Sequence, residues 1–128
     1  MKKKIRVGAV AAAAFFVAAS VLSAEAASAN TSQTFNFNGS SAASANYDTS
    51  ANRFQVKDLK ADGYGVTVEY SFTGISGVRY VSNSGGSNST TTSYIAIPKG
   101  ATQINWRITL KNGATVVARD IVIKKDVA

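Results

Sequence analysis

TQINWRITLKNGATVVARDIVI, residues Thr102 to Ile123, is the stretch whose reading decides the fold. Ile104, Trp106, Ile108 and Leu110 alternate with Gln103, Asn105, Arg107 and Thr109, the two-residue period of a strand with one dry face. Asn112-Gly113 follows, a pair that readily takes the two positive φ angles of a type I′ turn. A β-branched run, Thr115 to Ile123, then returns, so the spacing predicts a β-hairpin. With Asn112-Gly113 as a two-residue loop, Leu110 is expected opposite Thr115 and Ile108 opposite Val117. The same register sets Trp106 opposite Arg119 and Ile104 opposite Ile121.

Upstream, Tyr64, Val66, Val68, Tyr70 and Phe72 share one face of a second clear strand, with Gly65, Thr67, Glu69, Ser71 and Thr73 on the other. Thr34 to Asn38 reads as a short first strand, and Ala43, Ala45 and Tyr47 as an edge strand continuing it. Phe54 to Lys57, Val78 to Val81 (inward phase unassigned) and Tyr94 to Ile97 are further strands. Between the last two lies Ser82 to Ser93, only Ser, Asn, Gly and Thr, too polar to bury and expected to be a mobile loop. Turn formers at Asp48 to Asn52, Ala61 to Gly63, Gly74 to Gly77 and Pro98 to Gly100 separate these strands. No helical period intervenes. Seven to eight short strands with regular turns indicate an all-β domain, an antiparallel β-sandwich.

The first residues have a different character. Lys2, Lys3, Lys4 and Arg6 precede an apolar run from Val7 to Leu22, and Ala27-Ser28-Ala29 supplies small residues for cleavage. A run of 16 residues is short for a spanning helix. Residues 1–29 are therefore expected to be a signal peptide, with Ala24-Glu25-Ala26 as an earlier site, and residues 30–128 a single secreted domain of 99 residues. The whole chain carries +7; the part from Asn30 onward has 10 Lys and Arg against 6 Asp and Glu, a net charge of +4. These cations are scattered, which argues against nucleic acid and suits a protein near anionic cell-wall polymers. After cleavage no membrane segment is expected.

The strand count from Phe35 through Ile123 resembles immunoglobulin-like and fibronectin type III-like modules. VTVEYSF (Val66 to Phe72) followed by INWRITLKNG (Ile104 to Gly113) looks like the third and sixth strands of such a module. The cysteine pair of true immunoglobulin domains is missing. The leader, the stretch YDTSANRFQVKDLKADGYGV (Tyr47 to Val66) and the final hairpin together are similar to small secreted exoproteins of Gram-positive bacteria, a group of uncharacterised function. The resemblance implies an extracellular immunoglobulin-like sandwich and brings no activity with it.

Chemistry is sparse. The sequence has no cysteine and no histidine, which removes a Ser-His-Asp relay, a thiolate nucleophile and the usual zinc and haem ligands. The expectation is a chain that is not an enzyme and takes no metal or cofactor. Asp48 to Asn52 has the look of alternating calcium ligands, but lacks the glycine and closing glutamate of an EF-hand, so a side-chain-capped turn is favoured. Asp58 and Asp62 read as turn residues. Trp106 is expected in the core with Tyr64 and Tyr70, the Arg119 stem lying over the indole. Tyr80 and Tyr94 bracket the polar loop beside Arg79, and these three residues are the candidate binding site. If the tyrosines lie opposite each other on one outward face, they form an amphipathic patch for a cell-wall polymer, a glycan or an extracellular protein. The leading expectation is a non-enzymatic binding or structural module. The alternative is a small inhibitor of a secreted hydrolase, presenting a loop such as Ser82 to Ser93.

Overall fold

A computed structural model describes residues 29–83 and 85–128; residues 1–28, and with them nearly all of the expected leader, lie outside the described residues. Nine strands run through the described residues: β1 (Ser32–Phe37), β2 (Ser40–Asp48), β3 (Arg53–Asp58), β4 (Gly65–Phe72), β5 (Ile75–Asn83), β6 (Thr90–Tyr94), β7 (Gln103–Asn112), β8 (Thr115–Arg119) and β9 (Lys124–Val127). They form two antiparallel sheets, β1-β2-β3-β6 and β5-β4-β7-β8, with β9 also pairing onto β7. The fold is thus the expected all-β sandwich; the last expected strand, Thr115 to Ile123, stops at Arg119, and β9 is a further strand beyond it. Immunoglobulin constant domains set their first, second, fifth and fourth strands against the other three. Here the chain stays in one sheet through β3 before it crosses. The two stretches likened to a third and a sixth strand are β4 and β7, and they pair along the whole of β4.

Alternation builds the core. Val66, Val68, Tyr70 and Phe72 of β4 point between the sheets with Ile104, Trp106, Ile108 and Leu110 of β7, and all are buried. Phe54 of β3 reaches them from the other sheet, its ring centre 5.5 Å from Trp106, 5.3 Å from Tyr70 and 4.8 Å from Tyr47. The tilted and edge-on contacts are those aromatic quadrupoles prefer, and each fully buried side chain of this size contributes about 1.5–3 kcal/mol. Tyr64, expected in the core, is only partly buried, and packs against Phe37 at 6.2 Å.

Several local expectations are corrected. The β7–β8 turn is Gly113-Ala114, since Asn112 lies opposite Thr115, and only Gly113 has positive φ, at +61°. Glycine at the first central position suits a type II′ turn. The paired positive angles of a type I′ turn occur instead at Asn38-Gly39, φ +54° and +84°, between β1 and β2. The slip and a bulge put Leu110 opposite Ala118 rather than Thr115. Beyond Asp120 the chain turns away from β7. Asp120 still donates its N–H to Ile108 O at 2.9 Å, while its carboxylate accepts from Gln33 Nε2 at 2.9 Å and from Val122 N at 3.0 Å. Those bonds bend the chain outward, so Ile121 is 95% exposed instead of facing Ile104. When β9 rejoins, Lys124 lies opposite Trp106 and Asp126 opposite Ile104. Arg119 pairs with Thr109 and donates to Glu69 at 3.3 Å; it does not lie opposite the indole.

β2 is an interior strand, between β1 and β3, with Ala43, Ala45 and Tyr47 buried, and not an edge. The Ser82 to Ser93 stretch is half strand: β5 extends to Asn83, and β6 begins at Thr90 and pairs with β3. The strand expected from Tyr94 to Ile97 ends at Tyr94, and Ile95 and Ile97 pack on the core from the connection that follows. In β5 Val81 and Asn83 are buried, and Ile75 packs partly buried against the core.

Because the strands alternate in direction, the connections after β1, β3, β5 and β7 gather at one end of the sandwich. The first and last strands meet at the far end. There Thr31 donates its N–H at 3.1 Å and its hydroxyl to Asp126, Thr49 Oγ1 donates to Val127 O at 3.0 Å, and Ala128 N donates to Thr102 O at 3.1 Å.

Candidate functional site

The connections after β3, β5 and β7 bound an open cleft of about 480 Å³. Its walls carry Lys60, Tyr64, Ser87 and Lys111, and Thr67 and Ser82 face each other across adjacent strands, their hydroxyls 3.0 Å apart. Gly63, Gly65, Gly86 and Gly113 line it as well and keep the rim low. At Gly63, Gly86 and Gly113 positive φ favours glycine (+79°, +91° and +61°).

Buried hydrogen bonds hold these connections in place. Asn83, 1% exposed, donates Nδ2–H to Val56 O at 2.8 Å and to Ser89 O at 2.9 Å, and its Oδ1 accepts from Gly85 N at 2.9 Å and Ser89 Oγ at 2.9 Å. Asn88 N donates to Asp58 O, and Asp58 N to Ser89 O, tying the β5–β6 connection to the end of β3. The expected mobile loop is therefore anchored on a side chain that reads as loop composition. On the β3–β4 connection, Asp58 Oδ1 accepts from Lys60 N at 3.1 Å and Asp62 Oδ1 from Tyr64 N at 3.0 Å. Both are the side-chain-capped turns that their spacing predicts.

Tyr80 adjoins the cleft. It is 55% exposed on the outer face of β5, and the Lys111 ammonium lies 4.9 Å from its ring centre, a cation–π contact. Tyr94 belongs to the other sheet, where it is 68% exposed opposite Arg53, whose guanidinium carbon lies 6.0 Å from the ring centre. Arg79 precedes Tyr80 in an extended strand and so points the other way, its guanidinium 5.2 Å from the Phe72 ring centre. The three residues singled out in the sequence thus take three different cation–π partnerships. The two tyrosines do not meet the condition of one shared face. Lys60, Thr67, Ser82 and Lys111 carried no local signal; only the parity of the connections gathers them.

Behind Tyr80, Glu69 is 3% exposed and accepts from Arg107 Nε at 3.1 Å and Arg119 Nε at 3.3 Å. Burial draws the Arg107 guanidinium below its ordinary pKa, and the bond to Glu69 opposes that shift. At the far end, Asp48 Oδ1 accepts from Ser50 N, Ser50 Oγ and Ala51 N, and Oδ2 pairs with Arg53 at 2.9 Å. The Ser50 hydroxyl is the main cause of its lowered carboxyl pKa. With one oxygen in the turn and the other on a guanidinium, Asp48 belongs to a capped turn. Among the described residues, no group of three or more His, Cys, Asp or Glu side chains is placed to hold a metal ion.

No family model matches the chain, and neither does any curated protein or any solved structure compared with it.

Proposed function

We propose that the chain is a non-enzymatic extracellular binding module, and that a polymer of the cell surface is its ligand. The ligand lies in the cleft and stacks on Tyr80. One observation carries this reading: Lys111 lines the cleft and also caps the Tyr80 ring, so a concave polar surface and an exposed aromatic platform are continuous. The carboxylates add support. All six acids beyond residue 29 accept hydrogen bonds that hold the fold: Asp48, Asp58, Asp62, Glu69, Asp120 and Asp126. General acid–base chemistry needs a carboxylate facing substrate.

The test is retention on purified cell wall, comparing wild type with Tyr80→Ser and Tyr94→Ser after all three are shown to melt alike. Tyr80→Ser loses retention and Tyr94→Ser keeps it. Equal retention of wild type and Tyr80→Ser removes the platform, and no retention of wild type removes the ligand class.

A second reading, inhibition of a secreted hydrolase, draws support from Ile121 rather than from Ser82 to Ser93. Ile121 is 95% exposed, and Asp120 behind it is 4% exposed and bonded to β1 and β7, so an apolar residue is presented on a rigid base. An inhibitor that works this way loses its effect on the target hydrolase in Ile121→Asp.

A further inference from the structure

We infer that the ligand of the cleft is an acidic saccharide, its phosphate or carboxylate groups held by Lys60 and Lys111 while a sugar ring lies against Tyr80. The inference rests on the binding reading above and adds to it the charge of the ligand.

The functional groups of the cleft discriminate between acidic and neutral sugars. Neutral sugars offer many hydroxyl donors, and a site for them supplies free carboxylate or amide acceptors. The cleft's two groups of that kind both serve the fold. Its one carboxylate, Asp58, is 4% exposed and accepts from the Lys60 backbone amide, and the Asn83 amide is spent on the β5–β6 connection. What it presents instead are ammonium groups, which donate and never accept, beside the paired Thr67 and Ser82 hydroxyls. Among the described residues neither Lys60 nor Lys111 takes part in a salt bridge. Of the nearby acids, Asp58 and Asp62 each turn one oxygen to a backbone amide of the β3–β4 connection, and Glu69 is engaged by Arg107 and Arg119.

Lys111 also sets the spacing. Its ammonium sits 4.9 Å from the Tyr80 ring centre, so a sugar ring against the tyrosine brings its anionic substituent within reach of the same cation. The low glycine rim lets a polymer run through the cleft without a chain end having to enter.

The experiment titrates the chain beginning at Asn30 against poly(glycerol phosphate), polygalacturonate and dextran, which separate phosphate, carboxylate and neutral polymer. The variants are Lys60→Gln, Lys111→Gln, Lys111→Arg and Lys99→Gln; Lys99 is an exposed lysine on the β6–β7 connection, away from the cleft. Wild type binds at least one acidic polymer, binds dextran at least tenfold more weakly, and weakens as salt is raised. Lys60→Gln and Lys111→Gln each lose roughly tenfold, an effect of the size of one partly desolvated ion contact. Lys111→Arg retains binding, and Lys99→Gln stays within about twofold of wild type, as a screened distant charge should. Equal binding of dextran overturns the inference and leaves the binding reading standing. An equal loss in Lys99→Gln also overturns it, because bulk charge then explains the affinity. If no polymer binds, the inference falls; Tyr80-dependent retention on cell wall then decides whether the reading falls with it.

Discussion

Trp106 shows how one side chain satisfies two demands. Its indole is fully buried and nearly perpendicular to the Phe54 ring, and its Nε1–H donates to Asp126 Oδ2 at 2.8 Å. A buried indole needs that acceptor, and a buried carboxylate needs donors, which Asp126 also receives from Thr31. Trp106→Ala is expected to cost about 3–5 kcal/mol, from lost transfer energy and the cavity left behind. Against a total of about 5–15 kcal/mol for a domain, that threatens folding. Urea unfolding checks it through the midpoint; a loss below about 1 kcal/mol contradicts the buried position. The burial of Trp106 was legible, because alternation alone assigns its face. Its acceptor was not, since Lys124 to Val127 reads as a polar tail.

Elements were legible where they bury one face and obscure where they do not. β4 and β7 announce themselves because every second residue is apolar. Thr90 to Ser93 has no apolar residue, so β6 is hidden in loop composition although it pairs with β3 throughout. The β8–β9 break was hidden for the opposite reason. Ile121 to Ile123 reads as continuing strand, and what diverts it is a contact from Asp120 to Gln33, 87 residues away. At this scale the sharpest prediction concerns Asn83, the anchor of the β5–β6 connection. Asn83→Ala leaves the carbonyls of Val56 and Ser89 without their side-chain donor, an expected cost of about 1–3 kcal/mol. Amide exchange at Gly85 and Asn88 should quicken more than exchange in β7. Unchanged exchange there would show that the connection holds itself. The candidate site was illegible as a motif because its side chains come from four strands and the connections between them.

The whole molecule has an alkaline limit set from inside. Burial, aided by the nearby charges of Asp126 and Asp48, pushes the Tyr47 hydroxyl up to about 12, and burial also raises that of Tyr70. An unfolded tyrosine loses its proton near pH 10, so between about 10 and 12 the folded state binds more protons than the unfolded one. Stability then falls with rising pH; the contribution is complete below about pH 10 and gone above the folded value. For Tyr47, 1% exposed, the loss across that window is about 2–3 kcal/mol. Denaturant midpoints from pH 9 to 12 should decline less steeply in Tyr47→Phe than in wild type. Parallel declines would mean that the ring ionises freely in the fold.

The clasp between Thr31 and the last strand has a mechanical consequence. Residues 31 and 128 lie at the end away from the cleft, flanking β1 and β9, which belong to different sheets. Tension applied through both would open the sandwich there, loading the bonds of β1 and β9 one after another instead of all at once. Such a domain gives way by peeling at small force, while the strands around Lys60 and Lys111 are the last to feel the load. Anchored at either end alone, it bears no such load and holds the cleft outward from its anchor.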